Sequence, residues 1–171
     1  MYSRRDFAIL GLTLAGGAAA YKAISGGTGQ GSIAANAAEK FEITKTESEW
    51  RRILTPGQFS VLRREWTEPP GSSPLDANDK PGTYVCAGCA LALFSSETKF
   101  HSGTGWPSFW KPLDNAVGTN VDKSMMMTRT EVHCRRCGGH LGHVFEDGPK
   151  PTGLRYCMNG LALKFEPKPN A

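Results

Sequence analysis

Five cysteines carry most of the chemical information in this 171-residue chain. Four fall into two C-x2-C pairs, Cys86-Ala87-Gly88-Cys89 and Cys134-Arg135-Arg136-Cys137, with 44 residues between them. Each pair bends the backbone tightly enough to present two thiolates, and two such bends can share one tetrahedral zinc ion. A thioredoxin-like redox protein needs one such pair rather than two. A c-type haem needs His after the second cysteine, where Gly138 stands. His140 could compete as a ligand, but four sulfurs already fill the tetrahedron. The fifth cysteine, Cys157, is left without a partner. Unpaired thiols are often buried small hydrophobes, but this one lies in Arg155-Tyr156-Cys157-Met158-Asn159. Alternation along a strand puts Arg155, Cys157 and Asn159 on one face, with Tyr156 and Met158 on the other. A guanidinium beside the thiol favours thiolate, and Asn159 offers a neutral donor, so Cys157 is the candidate nucleophile.

Upstream lies His140-Leu141-Gly142-His143-Val144-Phe145-Glu146-Asp147-Gly148-Pro149. Two histidines three apart, with a glycine between them to bend the strand, can converge on one cavity as proton donors or orienters. Asp147 can orient an imidazole or pair with Arg155, although an acid before Gly-Pro also serves a turn. A third segment, Ser102-Gly103-Thr104-Gly105-Trp106-Pro107-Ser108-Phe109-Trp110, reads as a rigid loop that fixes the Trp106 indole, whose face suits a small apolar group such as a methyl.

The elements that must position these groups are short. Thr46-Glu47-Ser48-Glu49 reads as a capping box opening a helix through Leu54. Thr55-Pro56-Gly57-Gln58 repeats the signal and opens a second helix to about Glu65. Pro69 to Pro81 reads as a loop. Beyond it Thr83–Cys86, Ser124–Val132, His143–Phe145, Leu154–Asn159 and Leu161–Phe165 read as strands between Gly/Pro clusters, with Met125, Met126 and Met127 as strand packing. The class this predicts is mainly β, an antiparallel domain with two short N-terminal helices and a four-cysteine zinc site.

At 171 residues and 39% apolar content the chain supports one domain. Its first residues, Ser3-Arg4-Arg5-Asp6-Phe7, an apolar stretch from Phe7 to Ala20 and a small-residue tract ending Ala37-Ala38, resemble a twin-arginine signal peptide. The apolar stretch is 14 residues long, against roughly 20 for a spanning helix. Residues 1–38 are therefore read as signal and tail, and 39–171 as the domain. The implied location is the periplasm or cell exterior, membrane-anchored if the leader is retained. Removing the leader's three cations and one anion lowers the formal charge from +4 to +2. Four thiolates and one Zn2+ bring it to about neutral, which gives nucleic acid no electrostatic footprint.

Taken together, GTGWPSFW, the paired hooks, HLGHVFEDGP and TGLRYCMNG closely resemble the type B methionine sulfoxide reductase family from about Glu47 to Phe165. The resemblance implies a β-tent of two antiparallel sheets with one structural zinc on Cys86, Cys89, Cys134 and Cys137. It implies Cys157 as nucleophile, Trp106 at a methyl pocket, His140, His143 and Asn159 as the polar wall around the sulfoxide, and Phe145, Asp147 and Arg155 as further substrate-site residues. Its reaction leaves a sulfenic acid on the nucleophile. Where some relatives carry a resolving cysteine this chain has Thr104, so the expected partners are oxidised methionine in proteins or peptides, an external reductant (a thioredoxin-like protein or small thiol) and the twin-arginine export machinery. A monomer is expected. The rival reading is a zinc-stapled binding module, which needs no thiol set between Arg and Asn beside two histidines.

Overall fold

The structure, a computed structural model, describes residues 40–169. The leader reading therefore lies outside the described residues. Two helices open the described chain, α1 (Glu47–Ile53) and α2 (Pro56–Arg64). Both begin with the capping boxes read from sequence. The Glu49 and Gln58 amides donate to Thr46 Oγ1 and Thr55 Oγ1, and their side chains accept from the Thr46 and Thr55 amides. Glu65 ends α2 in the left-handed region. Residues 69–81 form the expected loop.

Nine strands follow: β1 (Gly82–Cys86), β2 (Ala92–Ser95), β3 (Lys99–Phe100), β4 (Ser108–Phe109), β5 (Val117–Asp122), β6 (Arg129–Cys134), β7 (His140–Phe145), β8 (Arg155–Met158) and β9 (Leu163–Pro167). They form two antiparallel sheets, β2-β1-β9 and β3-β4-β8-β7-β6-β5. Phe94 of β2 stacks on Phe109 of β4 at 4.4 Å, and Tyr84 of β1 meets the same ring edge-on, so aromatic packing joins the sheets. Leu141, Met158, Val132, Phe59 and Leu62 complete one buried core.

Of the expected strand over Ser124–Val132, the part from Arg129 onward is strand β6, and Ser124–Met126 instead form the turn of the β5–β6 hairpin. Asp122 Oδ1 accepts the Ser124 amide at 2.8 Å and turns the chain, and β6 starts only at Arg129. Met126 has φ +57° and is fully exposed, and Met127 is half exposed, so neither is strand packing. β5 escaped the sequence reading because Gly118, Thr119 and Asn120 break any apolar alternation.

Candidate active site

β8 lies between β4 and β7, with Cys157 paired in register to Ser108 on one side and His143 on the other. Tyr156 and Met158 turn into the core, as alternation requires. Cys157 is therefore held on the opposite face, partly exposed, two residues and one pleat period from Arg155. Arg155 donates twice to Asp147, at 2.8 Å each, and its guanidinium lies 4.5 Å from the Phe145 ring centroid. Phe145, Asp147 and Arg155 thus form one stack beside the thiol. Burial pushes the Cys157 thiol up, while the Arg155 charge and the Thr104 hydroxyl pull it down.

His140 and His143 are an odd number of residues apart, which on a regular strand would place them on opposite faces. A β-bulge corrects this: Val132 pairs with Gly142 and His133 with His140, leaving Leu141 as the extra residue. The rings come to 5.4 Å between centroids. A side chain at Gly142 would collide with the Cys157 carbonyl oxygen, so glycine lets β7 lie close to β8 here.

Each imidazole holds a carboxylate. His140 Nδ1 is 2.8 Å from Glu131 Oε1, and His143 Nε2 is 2.8 Å from Asp122 Oδ2, which Arg129 also holds at 2.6 Å. Burial pushes the Glu131 carboxyl up, but His133 and His140 outweigh it and hold it down at about 2. The Ser124 amide and hydroxyl, then His143, hold Asp122 well below the usual carboxylate range. Burial lowers His143 against the pull of Asp122. His140, His143, Glu131, Asp122, Arg129 and Trp66 line a cavity of about 600 Å³. Cys157 does not line it and lies one strand further along.

Asn159 differs from its sequence reading. It leaves the strand and is 3% exposed, with Oδ1 accepting the Glu68 amide at 2.9 Å and Nδ2 donating to the Leu141 carbonyl at 3.1 Å. Its amide braces the bulge rather than facing an open pocket. Trp106 is held through Nε1, which donates to the Glu68 carbonyl at 3.0 Å. Glu68, Asp122, Arg129 and Glu131 were missed from sequence. Alternation back from His133 would have found Glu131 on its face, whereas nothing in the chain signals Glu68, whose carboxylate accepts the amides of Gly160 and Leu161.

The four paired cysteines converge as their spacing predicts. Their sulfurs all lie within 4.8 Å of one another, with Cys86–Cys137 at 3.8 Å and Cys89–Cys134 at 3.5 Å. A tetrahedral ion bound at ~2.3 Å spaces sulfurs about 3.8 Å apart, so the set fits a metal ion.

A family profile described as the SelR domain matches residues 54–167. The chain belongs to the SelR domain family. Among similar SelR-type chains, the "Peptide methionine sulfoxide reductase MsrB" of Leptospira interrogans is 52% identical over 127 residues, 74% of this chain and 97% of that one. The protein of the same name from Bradyrhizobium diazoefficiens is 55% identical over 128 residues, covering 74% and 92%. That of Methanosarcina barkeri is 54% identical over 125 residues, covering 72% and 88%. The SelR match takes in Cys157, both histidines and all four paired cysteines.

Proposed function

We propose that the protein is a peptide-methionine (R)-S-oxide reductase, acting on oxidised methionine in proteins and peptides to repair them. The observation that carries this is the register pairing of Cys157 with His143 on a polar sheet face, in a chain about half identical to relatives named for the activity. The Cys157 thiolate, favoured by Arg155, attacks the electrophilic sulfoxide sulfur. Departing oxygen must be protonated, and a histidine of the pair supplies that proton, each imidazole held in place by its carboxylate. The sulfur–sulfur bond made by that attack breaks as the protonated oxygen passes from the methionine sulfur to Cys157, so thiol plus sulfoxide gives sulfenic acid plus thioether. Trp106, fixed by Glu68, offers its indole face to the methyl group.

Two equivalents of an external thiol return the sulfenic acid to thiol, releasing water and a disulfide. Every other cysteine of the chain belongs to the metal set, so the reductant is a thioredoxin-like protein or a small thiol. Zinc suits four sulfurs, and when bound it crosslinks β1 to the β6–β7 hairpin. Residues 1–38 serve as a twin-arginine leader, and 39–171 form the enzyme outside the cytoplasm. Export of a folded, metal-loaded domain protects the paired cysteines from disulfide formation in an oxidising compartment.

Separated R and S epimers of a dabsylated methionine sulfoxide, with dithiothreitol and zinc-loaded protein, test this reading. Turnover of the R epimer alone, lost in Cys157→Ser, is expected. Folded, zinc-replete protein that reduces neither epimer would return the binding-module reading to the front.

A further inference from the structure

Behind the thiol runs a chain of hydroxyls that the reaction above does not use. Ser108, fully buried and in register with Cys157, donates to Ser102 Oγ at 2.8 Å. Ser102 Oγ is 2.8 Å from Thr104 Oγ1, and Thr104 Oγ1 is 4.0 Å from Cys157 Sγ. Ser108 Oγ also reaches the Trp106 carbonyl at 3.1 Å. Each hydroxyl has one hydrogen. With the thiol protonated, Ser108 keeps its hydrogen on the Trp106 carbonyl and the thiol donates to Thr104. With the thiol ionised, three hydroxyl hydrogens face four links, and the carbonyl link is the weakest claimant because a hydrogen bond to an anion is about twice as strong as a neutral one.

We propose that Ser108, Ser102 and Thr104 form an oriented hydroxyl relay that delivers a hydrogen bond to the Cys157 thiolate, Thr104 as donor and the two serines as positioning residues. The relay carries no proton. It reorients, and the 4.0 Å contact closes as the sulfur gains charge. Charged and titratable groups facing Cys157 are Arg155 on its own strand with Asp147 behind it, and His143 on β7 with Asp122 behind it; β4 brings only Ser108. None of them belongs to the relay, so altering a hydroxyl leaves their charges in place.

The proposal rests on Cys157 being the reacting thiol, yet its test needs no sulfoxide. The rate at which iodoacetamide alkylates Cys157 in zinc-loaded protein, read from the mass of its peptide, reports the thiolate fraction across pH. Thr104→Val should raise the midpoint by about one unit, Thr104→Ser should keep it, and Ser102→Ala should raise it by less. An unchanged midpoint in Thr104→Val, or a Thr104→Ser shift as large as that of Thr104→Val, would overturn the relay. If Thr104→Val does not fold, an unchanged Ser102→Ala midpoint overturns it equally. Shifted midpoints in a protein that turns over neither epimer would sustain the relay and remove the reductase reading.

Discussion

The neighbours of Cys157 work against its burial and favour the thiolate on which the proposed reaction depends. Arg155 is the strongest of them and is itself held by Asp147 and Phe145. Arg155→Met should therefore push the thiol further up and slow its alkylation at neutral pH roughly tenfold. Circular dichroism should show the fold unchanged. Cys157 and Arg155 were legible in sequence because alternation within one strand fixes their shared face. Asn159 was not, because its partners Glu68 and Leu141 stand 91 and 18 residues away and only the folded chain reveals them. Asn159→Ala leaves the buried Glu68 amide without its acceptor, while the Leu141 carbonyl keeps the residue-159 backbone amide. A loss of about 1–3 kcal/mol in urea unfolding is expected.

At the scale of elements, the bulge at Leu141 is what turns a His-x-x-His spacing into a pair on one face. The glycine between the histidines was visible in sequence as a bend. The extra residue and its bracing by Asn159 were not, since a bulge depends on the neighbouring strand's register. Gly142→Ala drives a methyl into the Cys157 carbonyl and should cost on the order of 3 kcal/mol, read by denaturation, with activity lost in step. The helices were legible nearly to the residue, because a capping box is a local signal four residues long. β5 and the Met126 hairpin were not, because their pairing with β6 rests on Asp122, Ser124 and Arg129 rather than on apolar pattern.

Over the whole molecule the four cysteines join the two sheets, Cys86 lying in β1 and Cys134 at the end of β6. With zinc held there as proposed, stripping it with a chelator should abolish the cooperative thermal transition rather than merely lower activity. Acid acts through the polar face. Glu131 is held at about 2 against an ordinary 4.5, so its contribution is complete above about pH 4.5 and is lost as pH falls through about 2. Melting temperatures should fall across that window, and Glu131→Gln should flatten the slope. The central claim is that Cys157 takes the sulfoxide oxygen. A single turnover of zinc-loaded protein with methionine-R-sulfoxide and no reductant, quenched with dimedone, tests it most directly. One methionine released per chain with the dimedone adduct on the Cys157 peptide is the predicted result; methionine released with Cys157 unmodified would contradict it.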